Sequence, residues 1–358
     1  MPVLKPDALV DTLVENIRAY HNKFGVTRAE LDLSGGIDSA VMLGLLTLAL
    51  GADNITTAFL GINSNPDALS RAKGLADALG VKFIAFDGTE LFDLYVTKAK
   101  EAMVVAGYSI SEINARITAD STILGSIRST LRAPWGRGFC RLAGNGIRHG
   151  TGNECEDRWL RFFQKGGDGE VDTNPISMLS KGEIYQLARV LGHRLDAASA
   201  MGRIINAVPS ADLWGVADAH NDQNEIVNYI GVSGYPVYSY LNEAGEYRTV
   251  GLIERVSRFL DHNVCILGGA DIHDGIDTTN GAILFDDRSD ASDLDYLYLR
   301  AQNAAEFTGI APPDVVTLLN SARKIERVTR HKMNPNCPAI TARADLVAAG
   351  ILTNTLPV

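Results

Sequence analysis

Apolar and polar positions form two alternating patterns over roughly the first ninety residues. Short apolar runs, typical of buried strands, lie at 29–34, 54–61 and 81–87. Segments with apolar residues at helical spacing lie at 7–20, 38–51 and 66–79. Because strands and helices alternate in this order, the pattern predicts an α/β fold with a doubly wound parallel sheet and flanking helices.

The pattern is less regular after residue 90. It predicts helices over 112–131 and 181–192, with a short strand inside the glycine-rich segment 144–153. β-Forming residues on both sides of the turn NEAGE predict a hairpin over 235–251. A further strand is expected at 262–272 and further helices at 295–309 and 313–330.

The composition is that of an ordinary folded protein, with 46% hydrophobic and 21% charged residues among 358. The formal net charge of −10 makes nucleic acid an unfavoured partner. Five arginines lie close together in the sequence: Arg128, Arg132, Arg137, Arg141 and Arg148. We interpret them as loosely spaced surface arginines, and a local basic groove is the alternative.

The four cysteines form no CxxC pair and no zinc-site spacing, so a reducing, cytoplasmic setting is expected. The N-terminus has no signal-peptide core. The longest apolar stretch, 40–50, is too short to span a bilayer. We therefore expect no membrane association.

The turn SGGIDS after the first strand carries the strongest chemical signal. Gly35 and Gly36 lack a Cβ, so the backbone can approach a ligand closely. The N–H groups at the start of the next helix favour an anion such as phosphate, and Ser34 and Ser39 add hydroxyl donors. Asp38 would repel phosphate unless it binds a Mg²⁺ ion that bridges to it. A capped turn at a helix start is the structural alternative.

This turn resembles SGGxDS, the signature of the ATP pyrophosphatase (PP-loop) superfamily, and it lies in the same strand–loop–helix context. These enzymes cleave ATP between the α- and β-phosphates and transfer AMP to a substrate oxygen, and a nitrogen or sulfur nucleophile then displaces the AMP. The resemblance implies an adenine-nucleotide α-hydrolase-like fold, with ATP as co-substrate.

Residues 148–192 are similar to the second half of the ammonia-dependent NAD synthetases. The motifs that match, in order, are GTGN at 150–153 with Glu156, KGGD at 165–168, PI at 175–176 and LSK at 179–181. VPSADLW at 208–214 and RHKMNPNCP at 330–338 resemble two further motifs of that family. Each piece is weak alone, but the ordered set is specific.

The resemblance implies a two-step ligase reaction. The carboxylate of deamido-NAD (nicotinic acid adenine dinucleotide) attacks the α-phosphorus of ATP, and pyrophosphate leaves. Ammonia then displaces AMP from the mixed anhydride and forms NAD. Such a site has to neutralise phosphate charge and hold its reactants in line, which Mg²⁺ and lysines can do.

The resemblance also implies roles for individual residues. Asp38 and Lys181 would be catalytic, and Asp38 and Glu156 would bind Mg²⁺. ATP would be bound by Ser34, Gly35, Gly36, Asp38, Ser39, Thr151, Lys181 and Ser210. The acid substrate would be bound by Arg116, Lys165, Asp168, His331 and Lys332. Ordinary structural roles stay open for several of them, such as turn formation for Asp168 and a solvated helix charge for Arg116.

The chain departs from the family pattern in three places. LGINSNPD at 60–67 replaces an arginine-containing loop, and Met333 replaces an arginine. Residues 215–295 have no counterpart, so 1–358 is interpreted as one domain interrupted by a β-containing insert. The acidic residues and His273 within 268–281 could form a metal site, but a polar surface loop is the simpler interpretation.

The family resemblance further implies a homodimer that uses deamido-NAD, ATP and ammonia. We expect free ammonia as the nitrogen source, because a glutaminase half would need roughly 250 more residues. Two other functions stay open. One is the same chemistry on a different carboxylic acid, and the other is modification of tRNA by a PP-loop enzyme, which the negative net charge disfavours.

Overall fold

The computed structural model describes residues 3–120 and 122–210. Beyond them it describes residues 223, 227, 230–241, 247–249, 251–255, 309–314, 317–318, 321, 329, 332 and 341–354. The strand expected at 262–272 and the acidic segment 268–281 lie outside the described residues, as does the helix expected at 295–309 except for residue 309.

Four parallel strands form the central sheet: β1 (Ala29–Asp32), β2 (Ile55–Gly61), β3 (Phe83–Asp87) and β4 (Ile147–Arg148). Their order is β3-β2-β1-β4. The chain therefore builds outward from β1 to β3 and then returns to the other side of β1. This reversal places a topological switch point between β1 and β4. The predicted α/β fold with a parallel sheet is confirmed.

Within the described part of the chain, helices with defined bounds include α1 (Pro6–Phe24), α2 (Ile37–Leu50), α3 (Pro66–Ala78), α4 (Thr89–Val105), α5 (Ile110–Ala119), α6 (Thr122–Leu142), α7 (Lys181–Arg194), α8 (Ala198–Ile205) and α9 (Arg343–Ala348). The single helix predicted over 112–131 is wrong, because α5 and α6 are separate. Asp120 ends α5, and its carboxylate accepts a bond of 3.0 Å from the N–H of Thr122, which begins α6.

The two faces of β1 pack against different layers. Ala29 and Leu31 belong to the apolar core that β1 shares with α1, α2, α7 and α8. Glu30 and Asp32 point to the opposite face, as the two-residue period of a strand requires. There α6 approaches so closely at Gly136 that a Cβ would clash with both carboxylates. The sheet thus has an apolar layer on one side and a polar layer under α6.

The hairpin predicted over 235–251 is confirmed. Strands β5 (Tyr240–Leu241) and β6 (Tyr247–Thr249) pair in an antiparallel sheet of their own. Their segment contacts α7. Among the described residues, no helix combines the length and the apolar character needed to cross a membrane.

Candidate active site

The carboxyl ends of β1, β2 and β4 border a cavity of about 610 Å³. Parallel α/β sheets bind ligands at this edge, next to the switch point. The volume lies within the range of sites for small ligands and cofactors. Among the residues that line it, those predicted from the sequence are Ser34, Gly35, Gly36, Asp38, Ser39, Thr151, Glu156, Asp168, Lys181, Ser210 and Lys332.

The loop between β1 and α2 has a conformation that requires glycine. Gly35 adopts a left-handed φ of 77°, and a Cβ there would clash with the carbonyl oxygen of Ala68. Hydroxyl groups fix the loop from inside, since the Ser34 and Ser39 Oγ atoms lie 3.0 Å apart. Gly36, the N-cap of α2, provides no side-chain capping bond. The first-turn N–H groups of α2 are therefore suited to an anion in the cavity.

One lysine joins the two predicted metal-binding carboxylates. The Lys181 Nζ lies 2.6 Å from Asp38 Oδ2 and 2.9 Å from Glu156 Oε1. The lysine side chain is 3% exposed, so its charge depends on these partners. Lys181 is the first residue of α7, where Ser180 and Glu183 form a capping box. That box fixes the start of the helix and therefore the origin of the lysine side chain.

The side chain of Asn153 bonds both Asp38 and Glu156, and sequence reasoning missed it. Its Nδ2 donates to Asp38 Oδ1 at 3.0 Å, while its Oδ1 accepts from the N–H of Glu156 at 3.2 Å. Asn153 is fully buried. The GTGN motif contained the residue, but only the fold shows that its amide reaches Asp38.

The carboxylate set fits a magnesium ion that is completed by phosphate. Asp38 and Glu156 offer hard oxygen ligands around a position where a cation, the Lys181 ammonium, already lies. No group of three or more His, Cys, Asp or Glu side chains within the described part of the chain could hold a metal. Mg²⁺ commonly uses one or two carboxylates together with substrate phosphates, so two are sufficient.

Asp157 directly follows Glu156 in the chain and lies beside this cluster. Burial raises its pKa well above the usual value, and the charge of Glu156 raises it further. Its Oδ2 accepts a bond of 3.0 Å from the Asn174 Nδ2.

Asp168 and Lys332 also line the cavity. Asp168 Oδ1 accepts from the Ser129 hydroxyl at 2.7 Å and from the Gln164 N–H at 2.8 Å, so the carboxylate also stabilises its own turn. The Lys332 Nζ donates to the carbonyls of Arg161 and Phe163 at 3.0 and 2.8 Å. Burial lowers the pKa of Lys332, although the charge of Asp168 opposes this effect.

Three predicted substrate-binding residues are not part of this cavity as described. Arg116 lies on α5 with 61% of its side chain exposed, 3.9 Å from Glu112. Lys165 belongs to the turn that carries Asp168 but does not line the cavity. His331 lies outside the described residues.

The interpretation of the five arginines as a surface set is wrong for two of them. Arg148 is 3% exposed and bonds Glu30 and Asp32, with 2.6 Å from its Nη2 to Asp32 Oδ2. Burial lowers the Arg148 pKa, but the two carboxylates outweigh this effect and raise it above its usual value. Arg128 is also buried, with its guanidinium 5.2 Å from the ring centre of Phe92. The burial of Arg148 follows from the polar face of β1, which provides its two carboxylate partners.

Other residues that line the cavity were not found by sequence reasoning. The Arg71 Nε donates to the carbonyl of Gly35 at 3.1 Å, and the Arg132 Nε donates to the carbonyl of Leu60 at 3.1 Å. Tyr238 also lines the cavity, from the segment that follows α8. The sequence signal for Arg132 was its four-residue spacing from Arg128, which places both arginines on one face of α6.

Comparison with known proteins supports the same interpretation. A family model described as NAD synthase matches residues 9–235. The NH(3)-dependent NAD(+) synthetase of Fusobacterium nucleatum is 31% identical over 215 residues, which is 60% of this chain and 72% of the relative. That of Archaeoglobus fulgidus is 29% identical over 262 residues, which is 72% of this chain and 92% of the relative.

A solved structure, described as NMN synthetase from Francisella tularensis, has a similar fold along nearly the whole chain. The TM-score is 0.58 at 19% identity, and the match covers 95% of this chain and 99% of the other. At this level of identity the similarity concerns the fold. It extends beyond the part that the family model matches.

Proposed function

The chain belongs to the NAD synthase family, and we propose that it is an ammonia-dependent ligase that converts deamido-NAD to NAD. ATP is the co-substrate, and AMP and pyrophosphate are released. The observation that carries the proposal is the position of Lys181 between Asp38 and Glu156, beside the glycine loop at the switch point of the sheet. This arrangement gathers the charges that an adenylating site needs.

In the first step, the loop and α2 hold the triphosphate of ATP. The N–H groups after Gly35 and Gly36 bind phosphate oxygens, and the ammonium of Lys181 stabilises the charge that grows on the departing pyrophosphate. A carboxylate oxygen of deamido-NAD forms a bond to the α-phosphorus as the bond to pyrophosphate breaks. Mg²⁺, held by Asp38 and Glu156, would neutralise part of the phosphate charge.

In the second step, ammonia attacks the acyl carbon of the adenylated acid. The new C–N bond forms, the C–O bond to AMP breaks, and one proton is lost from nitrogen. Asp168 and Lys332, which line the cavity, are suited to contact the acid substrate. Thr151 and Ser210 line the cavity and add hydroxyl donors for ATP.

We further propose that two copies of the chain associate through α4 and α5. Each of these helices buries one hydrophobic side chain, Phe92 and Ile113. Large apolar side chains are exposed along them: Leu91, Leu94, Tyr95, Val104, Val105, Tyr108 and Ile110. An exposed apolar surface of this kind favours a protein interface. Arg116 lies on α5, so a second copy would bring it near another surface. Sedimentation equilibrium of the wild type and of Leu94→Asp tests this proposal.

The setting proposed for the protein is the reducing cytoplasm. Cys140 and Cys155 are buried and form no disulfide. Burial raises the pKa of the Cys140 thiol to about 11, and the charge of Glu30 adds to this effect. Such a thiol stays protonated at neutral pH and reacts slowly with oxidants.

A coupled assay tests the proposed reaction. The protein is incubated with ATP, Mg²⁺, ammonium and deamido-NAD, and NAD and AMP are measured together. We expect equal amounts of the two products and none without ammonium. Nicotinic acid mononucleotide, which is the reacting half of deamido-NAD, is the comparison substrate. AMP formation with another acid but not with deamido-NAD would contradict the assignment of the substrate.

A further inference from the structure

The Lys181 ammonium has an aromatic neighbour besides its two carboxylates. The Nζ lies 5.0 Å from the ring centre of Tyr238. The tyrosine is 7% exposed and lines the cavity. It follows the last residue that the family model matches, so the segment beyond residue 235 supplies this contact.

The buried carboxylate of Glu254 connects the residue before Lys181 to the residue after Tyr238. Glu254 is fully buried, and its Oε1 accepts a bond of 2.7 Å from the hydroxyl of Ser180. Its Oε2 accepts a bond from the hydroxyl of Ser239. Ser180 immediately precedes Lys181, and Ser239 immediately follows Tyr238. The Glu254 carboxylate therefore fixes the two chain segments that carry the ammonium and the ring.

The segment itself is closely packed at this point. The N–H of Gly251 donates to the Ser239 hydroxyl at 2.7 Å. A Cβ on Gly251 would clash with the backbone of Tyr238 and Ser239. The tyrosine is thus held by its own neighbours and not only by the lysine.

We propose that Tyr238, fixed by Glu254, is a positioning residue that keeps the Lys181 ammonium directed into the ATP site. The inference rests on the proposed role of Lys181 in binding phosphate. A free lysine has many rotamers, and a ring face restricts them through a cation–π contact. The ring adds no full negative charge, so it does not repel the triphosphate as a third carboxylate would. ATP can then take over the ammonium from Asp38 and Glu156 while Tyr238 still contacts it.

The test compares two substitutions of Tyr238 that differ in the aromatic face. Tyr238→Phe keeps the ring, whereas Tyr238→Leu fills similar space without one. The Kd of Mg·ATP is measured by titration calorimetry without the acid substrate or ammonia. We expect Tyr238→Leu to raise this Kd by about 10-fold and Tyr238→Phe to change it by less than about twofold. In steady-state kinetics, the KM for ATP should rise more than kcat falls.

Two further variants separate positioning from loss of structure. Glu254→Gln replaces one of the two acceptor oxygens, so it should raise the Kd of Mg·ATP in the same direction by a smaller factor. Tyr235→Leu is the matched control, because Tyr235 bonds Asp314 and the N–H of Ala311, away from Lys181. It should leave the Kd of Mg·ATP unchanged.

The possible outcomes distinguish this inference from the proposed function. Equal Kd values for the wild type and Tyr238→Leu would overturn the inference, as would equal losses in the Phe and Leu variants. A wild type that binds Mg·ATP but makes no NAD would contradict the proposed function. In that case a higher Kd of Mg·ATP in Tyr238→Leu than in Tyr238→Phe and the wild type would still support the positioning role. A wild type that binds no Mg·ATP would overturn both.

Discussion

The ammonium group of Lys181 lies 2.6 Å from a carboxylate oxygen of Asp38, although 143 positions separate the two residues in the sequence. Asp38 is in the first turn of α2, and Lys181 begins α7. The two helices pack against each other in the core, so their first turns meet at the ligand-binding edge of the sheet. Under the proposed function, this contact places a cation where phosphate charge has to be neutralised.

Replacing Lys181 should separate its pairing with the Asp38 and Glu156 carboxylates from its proposed role in stabilising phosphate charge. In Lys181→Met the carboxylates of Asp38 and Glu156 lose a competing cation, so Mn²⁺ should bind about 10-fold more tightly without nucleotide, or about 1.4 kcal/mol. NAD formation should fall by at least about 100-fold, because a preorganised charge at the phosphates is lost. Titration with Mn²⁺, followed by electron paramagnetic resonance, measures the first effect.

Lys73→Met is the control for that experiment. Lys73 also pairs with an aspartate, Asp77, at 2.5 Å, but both side chains are about 60% exposed on α3. Neither Mn²⁺ binding nor NAD formation should change in this variant. An unchanged Mn²⁺ affinity in Lys181→Met would contradict the view that lysine and metal share the carboxylates.

The glycine loop gives a second prediction, in Gly35→Ala. The added Cβ meets the carbonyl of Ala68 and also strains the left-handed φ, so the loop has to move. We expect the Kd of Mg·ATP to rise by at least about 10-fold. Gly25→Ala is the control, since Gly25 has a φ of 65° but no atom within 4 Å of the new Cβ. It should lower stability by about 1 kcal/mol and leave ATP binding unchanged.

Local patterns in the sequence predicted the sheet and also several of the residues that line the cavity, because each of these signals lies within a short segment. Asp38 follows a strand, Glu156 follows a strand and a glycine turn, and Lys181 starts an amphipathic helix. The carboxyl ends of neighbouring parallel strands share one edge, so three local features converge there. The hydrophobic pattern also predicted, within a few residues, where most of the helices and strands in the first part of the chain begin.

What could not be predicted depends on contacts between distant residues. The burial of Arg148 follows from the two carboxylates of β1, and no feature near Arg148 in the sequence shows them. Arg116 was assigned from the family resemblance alone, which does not specify which face of a helix a residue occupies. Tyr238 contacts Lys181 from a segment more than fifty residues away in the sequence, and Glu254 bonds both segments. The break at Asp120 was missed because helical spacing continues on both sides of it.

The Arg148 network gives a third prediction. Arg148→Met leaves Glu30 and Asp32 without their cation, and Glu30 is 2% exposed, so stability should fall by about 3–5 kcal/mol. Arg137→Met is the matched comparison, because Arg137 pairs with Asp172 but is 27% exposed. It should cost about 1 kcal/mol. Urea unfolding at neutral pH measures both. Similar losses of stability in the two variants would contradict the view that burial makes the Arg148 pair costly to break. Adding Glu30→Gln to Arg148→Met should restore part of the lost stability.

The buried histidine pair predicts how stability depends on pH. His21 and His149 lie with their Nε2 atoms 3.4 Å apart, and both are nearly inaccessible. Burial lowers the pKa of His149 to about 3, with a further contribution from His21, whose own pKa burial also lowers. The unfolded chain takes up a proton near pH 6.5, whereas the native His149 does not. Stability should therefore fall as the pH drops below about 6.5, by about 1.4 kcal/mol per unit for His149.

His149→Gln removes the group that takes up this proton in the unfolded chain. Urea unfolding of the variant should show a weaker loss of stability between about pH 6.5 and 5 than the wild type, a difference of about 2 kcal/mol at the acid end. His193→Gln, at an exposed position of α7, should follow the wild-type curve. The comparison uses slopes and not absolute stabilities, so a general cost of the substitution does not affect it. Parallel curves for His149→Gln and the wild type would show that the native histidine is protonated as easily as the unfolded one.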